Sequence, residues 1–215
     1  MYFKIDVAIR TDKLLTQWGF NAVEPSSYSI HDVYAYGVDW SNKLIIENDE
    51  IKQLLLRMEQ GEAQSEERLR QIAREIEGKV SDFLLNSFIL PYFETSVHED
   101  GTSFSIVMDT WKKLVRYADM DTITLPTTQG FIDATIPHVG IYSYREQHSK
   151  ATYYYMATRD SYIVSIITKE GIEWLHDYLK KIEEKVPNLA EVATINTEHT
   201  AEVECNTDCD CNCGY

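Results

Sequence analysis

The residue pattern predicts an α+β fold in which antiparallel strands pack against long helices, with a flexible C-terminal tail. Three stretches predict it. Residues 65–90, SEERLRQIAREIEGKVSDFLLNSFIL, carry Leu69, Ile72, Ala73, Ile76, Val80, Phe83 and Leu84 every three or four positions, one stripe of a 3.6-residue helix. Residues 2–10, YFKIDVAIR, alternate with Phe3, Ile5, Val7 and Ile9 on one face, as a half-buried strand does. Residues 138–144, 151–157 and 161–168 are three strand patterns joined by hairpin-length connections, which predicts an antiparallel meander.

The remaining elements follow in order. Residues 11–20 read as a short helix or turn closed at Gly19 and seated by Leu14, Leu15 and Trp18. Residues 20–30 read as a loop, and 31–39 and 43–47 as short strands. Asn48 is a good N-cap, with Asp49 and Glu50 in the positive first turn of a helix that runs to Gly61. A short GEAQ connection makes this helix an antiparallel neighbour of the long one. Ser65 is the expected cap of the long helix and Pro91 its expected stop.

Beyond Pro91 the segments YFETSV and TSFSIVMD flank HEDG, and Asp100-Gly101 signals a hairpin. Residues 110–119 then read as a short helix with Trp111, Leu114, Val115 and Ala118 inward. Residues 121–137, with Pro126, Gly130 and Pro137 among threonines, read as a loop with at most one brief strand. Residues 170–186 form the last helix, with a seam of Ile172, Leu175, Leu179, Ile182 and Val186, and Pro187 ends it. Residues 1–187 are therefore expected to be a single α+β domain, and 188–215 an acidic, cysteine-bearing tail.

A chain of 215 residues buries roughly 70% of its extended-chain surface and needs no covalent staples. The net charge of -15 argues against phosphate backbones and anionic lipid, so neither nucleic acid nor membrane is an expected partner. Six of the carboxylates lie in residues 188–215, which contain no lysine or arginine. Residues 1–204 contain no cysteine, which fits a reducing, cytoplasmic setting. The N-terminus, MYFKIDVAIRTDK, lacks the unbroken apolar segment of a signal peptide.

All four cysteines fall within the last eleven residues, CNTDCDCNCGY, at Cys205, Cys209, Cys211 and Cys213. Four thiols on one peptide suit a soft metal, zinc or copper, and His199 stands six residues upstream as a further ligand. The C-x3-C, C-x-C, C-x-C run is not the paired-knuckle spacing of a zinc ribbon. Over these eleven residues it resembles thiolate-rich chelating peptides of the metallothionein type. A tail that another enzyme modifies or crosslinks, and an exposed reduced tail, are the competing readings; no cofactor is firmly assigned.

The chain shows no glycine-rich phosphate loop, no H-E-x-x-H and no G-x-S-x-G. His31, His98, His138, His148 and His176 are scattered, with no two at ligand spacing. An enzyme is therefore the lesser expectation, and its catalytic residues are unassigned. The greater one is a protein-interaction or assembly protein, binding a protein partner or a second copy of itself. The nearly all-round apolar end of the long helix, Phe83, Leu85, Phe88 and Ile89, is the expected contact surface.

Overall fold

In the computed structural model, which describes residues 2–25, 39–96, 103–146 and 148–200, two antiparallel sheets pack against long helices. The chain is an α+β fold. Strand β1 (Tyr2–Arg10) leads into helix α1 (Thr11–Gln17) and strands β2 (Asn21–Val23) and β3 (Lys43–Glu47). Helices α2 (Asp49–Glu59) and α3 (Ala63–Leu84) come next, followed by a π-helical turn (Leu85–Ile89), α4 (Leu90–Thr95) and α5 (Phe104–Tyr117). Strands β4 (Thr122–Thr127), β5 (Gly130–Thr135), β6 (Val139–Arg145), β7 (Thr152–Arg159) and β8 (Ser161–Thr168) are consecutive. Helices α6 (Ile172–Lys185) and α7 (Leu189–Val192) and strand β9 (Ala193–Thr200) complete the described chain.

The larger sheet has the order β4-β5-β8-β1-β9, the smaller one β2-β3-β7-β6. The alternation in β1 does what it predicts. Ile5, Val7 and Ile9 are buried, and Ile5 lies opposite Ile166 on one side and Thr197 on the other. One apolar core joins residues from β1 through Ala193, so segments 1–90 and 91–187 share it. On the small sheet, Ile46 and Met156 face that core. Ile45, Tyr155 and Ala157, one position along, face the opposite side and form a separate aromatic cluster with Trp40.

Six expectations change. The long helix begins at Ala63, and Ser65 is a buried residue of its first turn, donating to Glu62 Oε2 at 2.8 Å, rather than its cap. Pro91 does not stop the rod. The ladder widens into the π turn ahead of it, which takes up the missing N–H and the ring, and helix continues to Thr95. Tyr178 of α6 donates to Phe88 O of that turn at 3.0 Å.

The segments around HEDG are helices, α4 and α5, rather than strands; residues 97–102 lie outside the described residues. Ser103 caps α5 through Ile106 N, and Trp111 Nε1 anchors it on Ser81 Oγ at 2.9 Å. Residues 122–135 are a hairpin, not a loop. Pro126 is tolerated because β4 is an edge strand. Gly130 (φ 156°) is required, because a Cβ there would lie 1.8 Å from Ile167 O. The meander is limited to β6 and β7. At Asp160 the chain crosses between sheets, and β8 pairs with β1 and β5.

The tail boundary also moves. Residues 189–200 form α7 and β9, β9 pairs along β1, and Val192 and Ala193 are buried. The expected strand over 31–39 falls on residues outside the described set, save Asp39, which is in no regular element. Among the described residues no helix is long and apolar enough to cross a membrane.

Candidate interaction surfaces

The sequence-named surface is not at the surface. Leu85, Phe88 and Ile89 are fully buried. Phe83 is half-buried, edge-on to Phe88 at 5.5 Å and to Trp18 at 6.5 Å. Burial follows from the neighbours: α6 covers this end of the rod, and the stacked Trp174–Tyr178 pair lies against Tyr92, whose ring is 5.4 Å from Trp174. Complete burial pushes the Tyr178 phenol far above its usual range.

The proposed metal ligands Cys205, Cys209, Cys211 and Cys213 lie outside the described residues. The backbone of His199 pairs opposite Phe3, near the end of β9. Among the described residues no three His, Cys, Asp or Glu side chains gather at metal-binding distance. Asp121 is paired with Arg159, and Asp133 accepts from Thr124.

Apolar exposure gathers instead on α5. Of the eight large apolar side chains exposed among the described residues, five lie between Phe104 and Met120. They are Phe104, Ile106 (57% exposed), Leu114, Tyr117 (70%) and Met120. The helix docks through Val107 and Trp111, with Met108, Val115 and Ala118 half-buried beside them. Leu114, expected inward, is on the exposed side. At 100° per residue Ile106, Thr110, Leu114 and Tyr117 share an arc of about 80°, adjoining the docked face. The signal was present in the sequence: apolar residues of 104–118, read at a period of 3.6, cover more of the circumference than one docked face needs.

A second feature is a cleft of about 490 Å³ between α3 and the edge strand β6, lined by Arg70, Arg74 and Glu77 on one side and His138 to Tyr142 on the other. The Tyr142 ring lies back over Gly140, where a Cβ would come within 2.7 Å of it. Trp40 meets the same ring edge-on at 5.4 Å, and Lys43 Nζ sits 5.8 Å from its centroid. Burial raises the Tyr142 phenol pKa, against a smaller lowering by Arg159.

No family model, curated protein or solved structure matches this chain.

Proposed function

We propose that this is a non-enzymatic interaction and assembly protein that associates through the outer face of α5. One observation carries the reading: most of the exposed large apolar side chains among the described residues are concentrated on one helix and the turn after it. Scattered apolar residues are ordinary on a protein surface, whereas a contiguous row is characteristic of a contact site.

The pattern on α5 favours a second copy of the chain as the partner. An antiparallel α5 centred near Lys112 sets Ile106 against Tyr117 and Thr110 against Leu114. It also brings Asp109 beside Arg116, so apolar and charged positions are both self-complementary, as a two-fold interface requires. A cytoplasmic setting accords with the cysteine-free residues 1–204.

The test is light scattering coupled to size exclusion, run on the full chain and on Ile106→Glu/Leu114→Glu. The parent is expected to run as a dimer at micromolar concentration and the variant as a folded monomer. A parent that stays monomeric at the highest soluble concentration would refute self-assembly through α5.

A further inference from the structure

The α3–β6 cleft is separate from α5 and presents different chemistry: an open strand edge. Among the described residues β6 is the last strand of the small sheet and pairs with β7 alone. Two of the other edges are blunted: β2 has three residues and β4 carries Pro126, while β9 is an eight-residue edge of the larger sheet, away from this cleft's lining. β6 has seven residues and no proline.

Two side chains fix which of its backbone groups face outward. Val139 N donates to Glu77 Oε1 across the cleft at 2.8 Å, so Val139 points away from β7. On the partner strand Tyr154 N donates to Glu59 at 3.3 Å, so Tyr154 and its opposite number Ser143 form a pair without mutual hydrogen bonds. Both observations give one phase to the alternation of an antiparallel ladder. It turns the N–H and C=O of Ile141 and Ser143 out of the sheet, on the side where Glu77 already meets Val139. At Val139 a carboxylate from α3 takes the place that a neighbouring strand's carbonyl would hold.

The cleft's charge sets what can lie there. Arg70 and Arg74 line it from α3, in a chain of net charge -15. Arg70 is held by Glu66 at 2.6 Å, and Arg74 reaches only the exposed Glu67 at 3.9 Å. Glu77, the one lining carboxylate, is engaged with Val139 N and stands 3.6 Å from His138 Nδ1. The two guanidiniums stand one turn apart, about 6 Å along the helix. Side chains i and i+2 of an extended strand are about 6.6 Å apart on one face.

We propose that this cleft takes an extended, acidic segment of a partner protein, added to β6 as a fifth strand of the small sheet. The backbone of Ile141 and Ser143 pairs with the incoming strand. Its alternate carboxylates meet Arg70 and Arg74.

The experiment is fluorescence anisotropy on the full chain. The probe is a short labelled peptide alternating valine and glutamate, with a valine–lysine counterpart as control. Binding of the glutamate peptide, weakened by salt and absent with the lysine peptide, is expected. Ser143→Pro removes an outward donor at a position where an edge strand tolerates proline. Arg70→Glu/Arg74→Glu changes two exposed side chains. Each is expected to weaken binding about tenfold with the circular dichroism spectrum and melting temperature unchanged.

No binding of the glutamate peptide, or binding indifferent to Ser143→Pro, overturns the proposal. So does binding that appears only after residues 201–215 are removed, which would make this chain's own end the occupant. Loss of a dimer on Ser143→Pro would make it a second copy. The α5 face is untouched in every arm, so its failure and this one are distinguishable.

Discussion

The α3–π–α4 rod and helix α5 are both rich in apolar residues, yet one is sealed and the other is half bare. Around the rod, α2, α6 and the larger sheet supply enough facing surface to take Leu84, Leu85, Phe88, Ile89 and Tyr92 completely. Among the described residues helix α5 makes its main contacts with α4, Ser81 of α3 and the neighbouring β4, and it buries two large apolar residues, Val107 and Trp111. Burial is decided by how many elements converge on a stretch, and apolar density along the chain does not report that number. The surplus arc on α5 is therefore the more informative surface.

The chain's end gives the sharpest test of that lesson, because 188–200 is sparse in apolar residues and is nonetheless packed. Truncation after Pro187 strips β9 from β1 and removes Val192 and Ala193 from the core. A loss on the order of 5 kcal/mol in urea unfolding is expected, enough to unfold the domain. Truncation after Thr200 leaves every described contact in place and is expected to change stability by less than about 0.5 kcal/mol. Equal stability of the two truncated chains would show that β9 contributes nothing.

A direct contrast of the two helices comes next in size. Phe88→Ala, in the sealed rod, is expected to cost about 3–5 kcal/mol. Ile106→Ser, on α5, is expected to fall within about 0.5 kcal/mol for the monomer. Urea unfolding of both at dilute concentration reads the difference, and similar losses would erase the distinction.

Alkaline pH probes the sealed interior without mutation. Burial pushes the Tyr162 phenol from its ordinary 10.0 up to about 12, against the opposing hydrogen bond with Thr158, and raises that of Tyr178 as well. Each folded pKa lies above the unfolded one. For Tyr162 the stabilisation is therefore full below pH about 10 and lost as pH rises through about 12; that of Tyr178 is lost in the same direction, with rising pH. A phenolate absorbance titration is expected to show two tyrosines ionising only together with unfolding. Independent ionisation of all tyrosines near pH 10 would mean this interior opens to water.

How much of this was legible in the sequence depends on the element. The rod as far as Leu90, β1 and α2 are legible from periodicity and, for α2, from Asn48, whose Oδ1 accepts from Ile51 N at 2.7 Å; the continuation past Pro91 is not. The first part of α5 reads as a strand because Phe104, Ile106 and Met108 alternate with smaller or polar residues, while residues 110–117 read as the helix they form; Ser103, its cap, is the local signal of the true start. The β4–β5 hairpin was hidden by Pro126, which breaks a central strand but not an edge. The strand phase that frees Ile141 and Ser143 depends on Glu77 and Glu59, 62 and 95 residues away in sequence from the N–H groups they accept from, and no local pattern encodes it. The α5 surface was legible in principle, because its apolar arc exceeds one docking face.

The central claim, that α5 pairs antiparallel with a second α5, is tested most directly by a charge-swap cycle. Sedimentation equilibrium would compare the dimer dissociation constants of the parent, Asp109→Arg, Arg116→Asp and the double swap. The account predicts that each single swap weakens the dimer by about threefold to tenfold and that the double swap restores it. A double swap no tighter than either single change would contradict the pairing.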